Sequence, residues 1–199
     1  MSVTVITYHR AMGRWEPDAR GRLAQAAMTL YAQHGFEQTT VAEIAARAGL
    51  TERTFFRHFA DKREVLFYGS EMLRDLLVRA VADAPAAATA LDAAGAAFQA
   101  AGAMLQEDPE RARLRDAIIS VNGELREREL IKLAGLAAAV AGALRDRGTP
   151  EPAASLAAET GIAVFRIAFD LWVEEPNRRT FTELIHEGFD ELEAVTAGR

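Results

Sequence analysis

The sequence has no cysteine, which removes disulfides, thiol nucleophiles and cysteine-held metal from consideration. Histidine is scarce, with four at positions 9, 34, 58 and 186, so a metal site would have to recruit carboxylates from scattered places. Membrane-length apolar runs, which need roughly 18 residues, are missing; LAGLAAAVAGAL at 133–144 stops at 12. No segment shows the period-two alternation of a strand. The opening MSVTVITYHR lacks the charged start, long apolar stretch and cleavage site of a signal peptide, so a cytoplasmic location without a membrane partner is expected. No cofactor is implied.

What is present is apolar and helical. Half of the 199 residues are hydrophobic, enough for one compact unit or two small ones. The formal net charge of -6 is unevenly spread. Residues 1–70 hold nine Lys/Arg against seven Asp/Glu, whereas residues 71–199 hold 14 against 22. Any polyanion would therefore meet local arginines of the first part, and the acidic remainder would face away from it.

Punctuation by Pro, Gly and capping residues divides the chain into about nine helices. An arm at 1–15 precedes a helix over about 17–34, with Pro17 in its first turn and Gly35 at its end. Asp61 followed by Glu64 resembles a cap with a reaching carboxylate, which predicts a helix from about 62 to 82. Further helices follow at 88–106, from Pro109, over 124–147 before Gly148, between Pro152 and Pro176, and over about 178–195. The fold class is all-α.

Within TVAEIAARAGLTERTFFRHFADK, residues 40–62, two helix starts lie close together. Thr40 and Glu43 form a capping-box pattern, Gly49 can take the left-handed conformation that ends a helix, and Thr51 can cap the next one. Two short helices joined by a glycine-containing turn make a helix-turn-helix, whose second helix can lie in a DNA major groove. Val41, Ile44, Ala45 and Ala48 give the first helix one apolar face. Phe55 and Phe59, one turn apart, anchor the second and leave Glu52, Arg53, Phe56 and Arg57 on the opposite side.

The run LYAQHGFEQTTVAEIAARAGLTERTFFRHFADKREVLF, residues 30–67, resembles the N-terminal domain of the TetR family of bacterial transcriptional regulators. LRDAIISVNGELREREL, residues 114–130, is similar to the more divergent ligand domain of actinobacterial members. The resemblance implies a helix-turn-helix domain over 16–61 and a ligand-binding and dimerisation domain over 62–199. It implies DNA contacts at Thr40, Thr51, Arg53, Thr54, Phe56, Arg57, His58 and Lys62. Arg53 and Arg57 suit guanine edges and Lys62 suits phosphate, while Thr40 and Thr51 can equally be pure caps. At Phe56 many members carry a tyrosine; phenylalanine cannot donate that hydrogen bond and is left to contact a thymine methyl, a sugar or the interior.

By the same resemblance, a small-molecule pocket is expected among Met72, Leu76, Phe98, Ile118, Ile119, Asn122, Phe165, Arg166, Phe169 and Trp172, with Arg166 and Asp170 also able to satisfy each other at i, i+4. The helix between Pro152 and Pro176 has two apolar faces, one of Ile162, Phe165, Phe169 and Trp172, the other of Ala157, Val164, Ile167 and Leu171. The last helix adds a stripe of Phe181, Leu184, Ile185, Gly188, Phe189, Leu192 and Val195. Family members dimerise through these two helices, so Ala157, Val164, Ile167, Leu171, Phe181, Leu184, Ile185, Phe189 and Leu192 are the expected interface of a homodimer. The function implied is a ligand-responsive regulator, a repressor released from a palindromic double-stranded operator by a small molecule, with an activator of the same fold as alternative. A helical enzyme is disfavoured: HEGFDE at 186–191 lacks the second histidine of a zincin helix, and GAAFQAAG at 95–102 is not a phosphate loop. An architectural DNA binder would be basic throughout, which this chain is not.

Overall fold

The computed structural model describes residues 18–174 and 179–198. The arm at 1–15, Pro17 and Pro176 lie outside them. All nine α-helices among the described residues follow the expected order: α1 Ala19–His34, α2 Val41–Arg47, α3 Glu52–His58, α4 Ser70–Asp83, α5 Ala90–Leu105, α6 Pro109–Ser120, α7 Gly123–Asp146, α8 Ala153–Val173 and α9 Phe181–Thr196. A 3-10 turn occupies Glu64–Phe67, and no strand occurs among the described residues.

The starts follow from side chains that satisfy orphan amides. Asp18 caps α1 by accepting from the Gly21 amide at 2.8 Å. Thr40–Glu43, Thr89–Asp92 and Thr180–Glu183 form complete capping boxes on α2, α5 and α9. Pro109 opens α6 where its missing N–H costs nothing. Gly49, at φ 68°, makes the turn between α2 and α3.

The helix expected over 62–82 is not continuous. The Asp61 carboxylate accepts the Arg63 and Glu64 amides at 2.8 and 3.1 Å, which starts a 3-10 turn. Gly69, at φ 98°, then takes the chain out of helical geometry before α4 begins. Glu64 does not reach back to the cap; it points to α7, where it meets Arg128 and Lys132.

Two apolar cores result. The first gathers Leu23, Met28, Leu30, Tyr31, Phe36, Ile44, Phe55 and Phe59 with Val65, Leu66 and Phe67 of the 3-10 turn. It is completed by Ile118, Ile119 and Leu125, which come from α6 and α7. The N-terminal core is thus not confined to residues 16–61. The second core packs α4, α5, α7, α8 and α9 around Leu77, Val81, Phe98, Val140, Leu144, Phe165, Phe181 and Ile185. Phe98 lies so close to α8 that a methyl group at Gly161 would overlap its ring.

Candidate nucleic-acid interface and ligand cavity

Helix α3 is held from one side only. Phe55 and Phe59 are buried, with ring centroids 5.6 Å apart, and fasten it to α1 and α2. Glu52, Arg53, Phe56 and Arg57 are exposed as the i, i+4 spacing requires. Phe56 is 55% exposed and meets Phe55 edge-on at 5.4 Å. It does not turn inward, which leaves an apolar ring between two guanidinium groups on the outer face.

Thr40 and Thr51 are engaged as caps. The Thr40 hydroxyl accepts from the Glu43 amide at 3.2 Å and donates to the Glu43 carboxylate at 2.9 Å. The Thr51 hydroxyl accepts from the Thr54 amide at 3.2 Å and lies 3.0 Å from the Thr54 hydroxyl. Both threonines remain exposed. His58 is half-buried at the end of α3, its Nε2 enclosed without a hydrogen-bond partner. Desolvation first, then the charges of Arg57 and Arg20, hold its pKa below the ordinary imidazole range.

Lys62 is engaged within the protein. Its ammonium donates to the carbonyls of Phe36, Glu37 and Thr39 at 2.8, 3.1 and 3.0 Å and lies 4.4 Å from the centroid of the Phe36 ring. All three donors of a lysine are thereby used. The Tyr31 hydroxyl donates to the Lys62 carbonyl at 2.6 Å, and burial, followed by the Asp61 charge, raises the Tyr31 pKa well above the usual phenol range. Lys62 stitches the α1–α2 loop to the exit of α3.

Between this unit and the second core lies a cavity of about 500 Å³. Its apolar wall includes Met28, Phe67, Leu73, Met104, Leu105, Leu133, Leu136, Phe165 and Phe169, with the exposed Met72 and Leu130 also contributing. Arg111, Arg115, Asp116, Glu129, Lys132, Arg166 and Asp170 supply polar groups. Burial raises the Asp116 carboxyl above the ordinary aspartate range, with Glu129 and Asp170 adding to the shift. Burial likewise raises Asp170, against the opposing charge of Arg166. Arg166 and Asp170 thus influence each other, but only as part of a mixed-charge wall.

Of the expected pocket residues, Met72, Phe165, Arg166 and Phe169 line this cavity. The others are employed elsewhere. Phe98 is sealed against Phe165 in the second core, and Trp172 is stacked on Phe181 at 4.9 Å and 11°. Ile118 and Ile119 belong to the N-terminal core. The Asn122 amide donates to the Ile118 carbonyl at 2.6 Å. Leu76 is half-buried on α4, outside the wall. From α6 and α7, Arg115, Glu129 and Lys132 also line the cavity, and nothing in a charged side chain's place in the sequence tells a hollow from open water.

The expected dimer residues divide sharply. Ala157, Val164, Phe181, Leu184 and Ile185 are buried within the single chain, where α8 and α9 pack on each other and on α5. Phe189 and Leu192 are half-buried, and Phe189 lies against Gly95. Ile167 and Leu171 stay exposed, and Leu156 and Val195 join them as large apolar side chains left in water.

An arginine-bearing helix presented by a two-helix platform, joined to a helical lobe with a cavity, is a helix-turn-helix arrangement. The pattern "Bacterial regulatory proteins, tetR family" matches residues 23–68, and "MftR C-terminal domain" matches residues 88–197. The chain belongs to the TetR family. It is 37% identical over 81 residues to the HTH-type transcriptional regulator TcmR of Streptomyces glaucescens, covering 41% of this chain and 36% of that protein. It is 38% identical over 58 residues to the HTH-type transcriptional repressor KstR2 of Mycobacterium tuberculosis, covering 29% and 28% respectively. The matches therefore span about a third of these relatives' length. Among solved structures, SmeT in its triclosan complex superposes with a TM-score of 0.64 at 23% identity, covering 89% of this chain and 90% of that one. FadR of Bacillus subtilis with stearoyl-CoA gives 0.61 at 20%, covering 86% and 96%. These two likenesses are of fold.

Proposed function

We propose that the protein is a homodimeric, ligand-responsive repressor that binds a palindromic operator in the cytoplasm and leaves it when a small molecule fills the cavity. The observation that carries this reading is the outer face of α3, where Arg53, Phe56 and Arg57 project from a helix fastened by two buried phenylalanines. Each guanidinium can pair with guanine O6 and N7, and Phe56 can pack on a thymine methyl. Two-fold symmetry is supported by Leu156, Ile167 and Leu171, apolar side chains exposed along one helix of an otherwise well-packed lobe. A cavity of about 500 Å³, mostly apolar with a few polar groups, suits a drug-sized molecule. A ligand that favours a conformation unable to grip DNA would release the operator.

The test is binding of the full chain to labelled duplexes from the intergenic sequence beside its own gene, followed by fluorescence anisotropy. Salt-dependent binding to a palindrome, lost when its half-sites are scrambled, is expected. Equal affinity for the scrambled duplex would remove the operator reading. A reporter driven from that region, compared with and without the protein, separates repression from activation.

A further inference from the structure

The segment from 61 to 67, which leads out of α3, is gripped by α7 and α6 through ion pairs. Arg63 reaches Glu124 at 3.4 Å. The Glu64 carboxylate accepts from Arg128 Nε at 2.6 Å and Lys132 Nζ at 3.0 Å. Residues 124, 128 and 132 recur every fourth position and so share one side of α7. From α6, Arg115 Nε donates to the Leu66 carbonyl at 3.0 Å while its Nη1 pairs with Glu129 at 2.8 Å. Burial alone would raise the Glu64 carboxyl, yet hydrogen bonds from Lys132 and Arg128 bring it below the ordinary range.

Some of these groups face two ways. Lys132, Glu129 and Arg115 line the cavity, as does Phe67, whose ring centroid lies 5.9 Å from the Lys132 ammonium and 5.2 Å from the Arg115 guanidinium. Arg128 and Glu64 are not in the cavity wall. Glu64 and Arg128 instead line a smaller cavity of about 180 Å³ that shares Lys132 and Phe67, so of the two cations on Glu64 only Lys132 lines the larger one. We propose that the Glu64–Lys132 pair is the joint through which cavity occupancy reaches the recognition helix, with Arg115 at Leu66 as a second positioning contact; this rests on the ligand-cavity reading above.

An occupant that offers an acceptor to Lys132, or displaces the Phe67 ring beneath it, draws the ammonium from Glu64. The carboxylate, only 19% exposed, is then left with Arg128 alone. The movement has little chain in which to dissipate, since Glu64 is bound to the Asp61 cap and Asp61 stands two residues beyond Phe59, an anchor of α3. The coupling runs through a contiguous set of contacts with two arrangements, Lys132 on Glu64 or Lys132 on the occupant.

The probe is 8-anilino-1-naphthalenesulfonate, an aromatic anion, added at saturation to the full-length protein and followed by hydrogen exchange. Slower exchange at 104–116 and 130–136 is expected as it fills the cavity, together with several-fold faster exchange over 52–67. Glu64→Gln, outside the wall, should bind the probe as the parent does and show raised exchange over 52–67 that no longer responds. Lys132→Met should lose the response from the other side of the pair, and Lys132→Arg should restore it. Protection of the cavity with no change over 52–67 in the parent, or an undiminished response in Glu64→Gln and Lys132→Met, overturns the joint and leaves the cavity standing. No protection at 104–116 and 130–136 overturns the cavity reading and the joint with it.

Discussion

Lys62 belongs to the framework that holds α3 in place. Three carbonyls and the Phe36 ring hold its ammonium. Replacing it with methionine should cost about 2–3 kcal/mol of stability, as expected when a charged donor is withdrawn from part-buried acceptors, and lower the thermal midpoint. The salt dependence of DNA binding, measured by anisotropy at several ionic strengths, should keep its slope. Arg53→Ala and Arg57→Ala should behave in the opposite way: each should cost about 1–3 kcal/mol in operator binding, relax preference at one position of a panel of single-base variants, and leave the thermal midpoint nearly unchanged. The division of α3 into anchors and readers was legible because a period of 3.6 assigns faces directly. The role of Lys62 was not, because its partners are main-chain carbonyls 23 to 26 residues away, and a carbonyl carries no mark in the sequence.

At the scale of elements, α8 and α9 both carry apolar residues expected at a dimer interface, yet they use them differently. Leu184 and Ile185 are 3% and 0% exposed and fill the chain's own core, whereas Ile167 and Leu171 are 57% and 42% exposed. Ile167→Glu with Leu171→Glu should therefore give a folded monomer in sedimentation with its helical circular dichroism retained. Leu184→Glu should unfold the lobe, because a carboxylate would be placed where no partner waits. Helix boundaries were readable wherever a capping pair or a proline sat at the start, as at Thr40 and Pro109. The break before α4 was missed although Gly69 stood in plain sight, because the charge pattern after Asp61 also fits a helix start. The cavity was missed in part for a related reason: amphipathic periodicity marks which face of α7 turns inward, not whether an inward charge meets a neighbour or a hollow.

For the whole molecule, the carboxyls in and beside the cavity respond to pH in opposite senses. Glu64 is lowered, so its contribution is present above the ordinary glutamate range and lost as pH falls through its folded value. Asp116 and Asp170 are raised, so theirs is present in acid and lost as pH rises through their folded values. Of these carboxyls, lowering the pH should relieve the Asp116–Glu129–Asp170 repulsion before it breaks the Glu64 pair. Asp116→Asn should add less than about 1 kcal/mol of stability at pH 7, since the carboxyl is only partly buried, seen as a higher thermal midpoint, and the gain should shrink towards pH 4. The make-up of the N-terminal core has a further outcome, in the order of synthesis. A ribosome delivers α1, α2 and α3 first, but Ile118, Ile119 and Leu125, which close the core beneath them, follow only after more than half the chain has been made. Until then the nascent helices expose the apolar surface those residues will cover, so the helix-turn-helix unit completes its fold together with the lobe it joins.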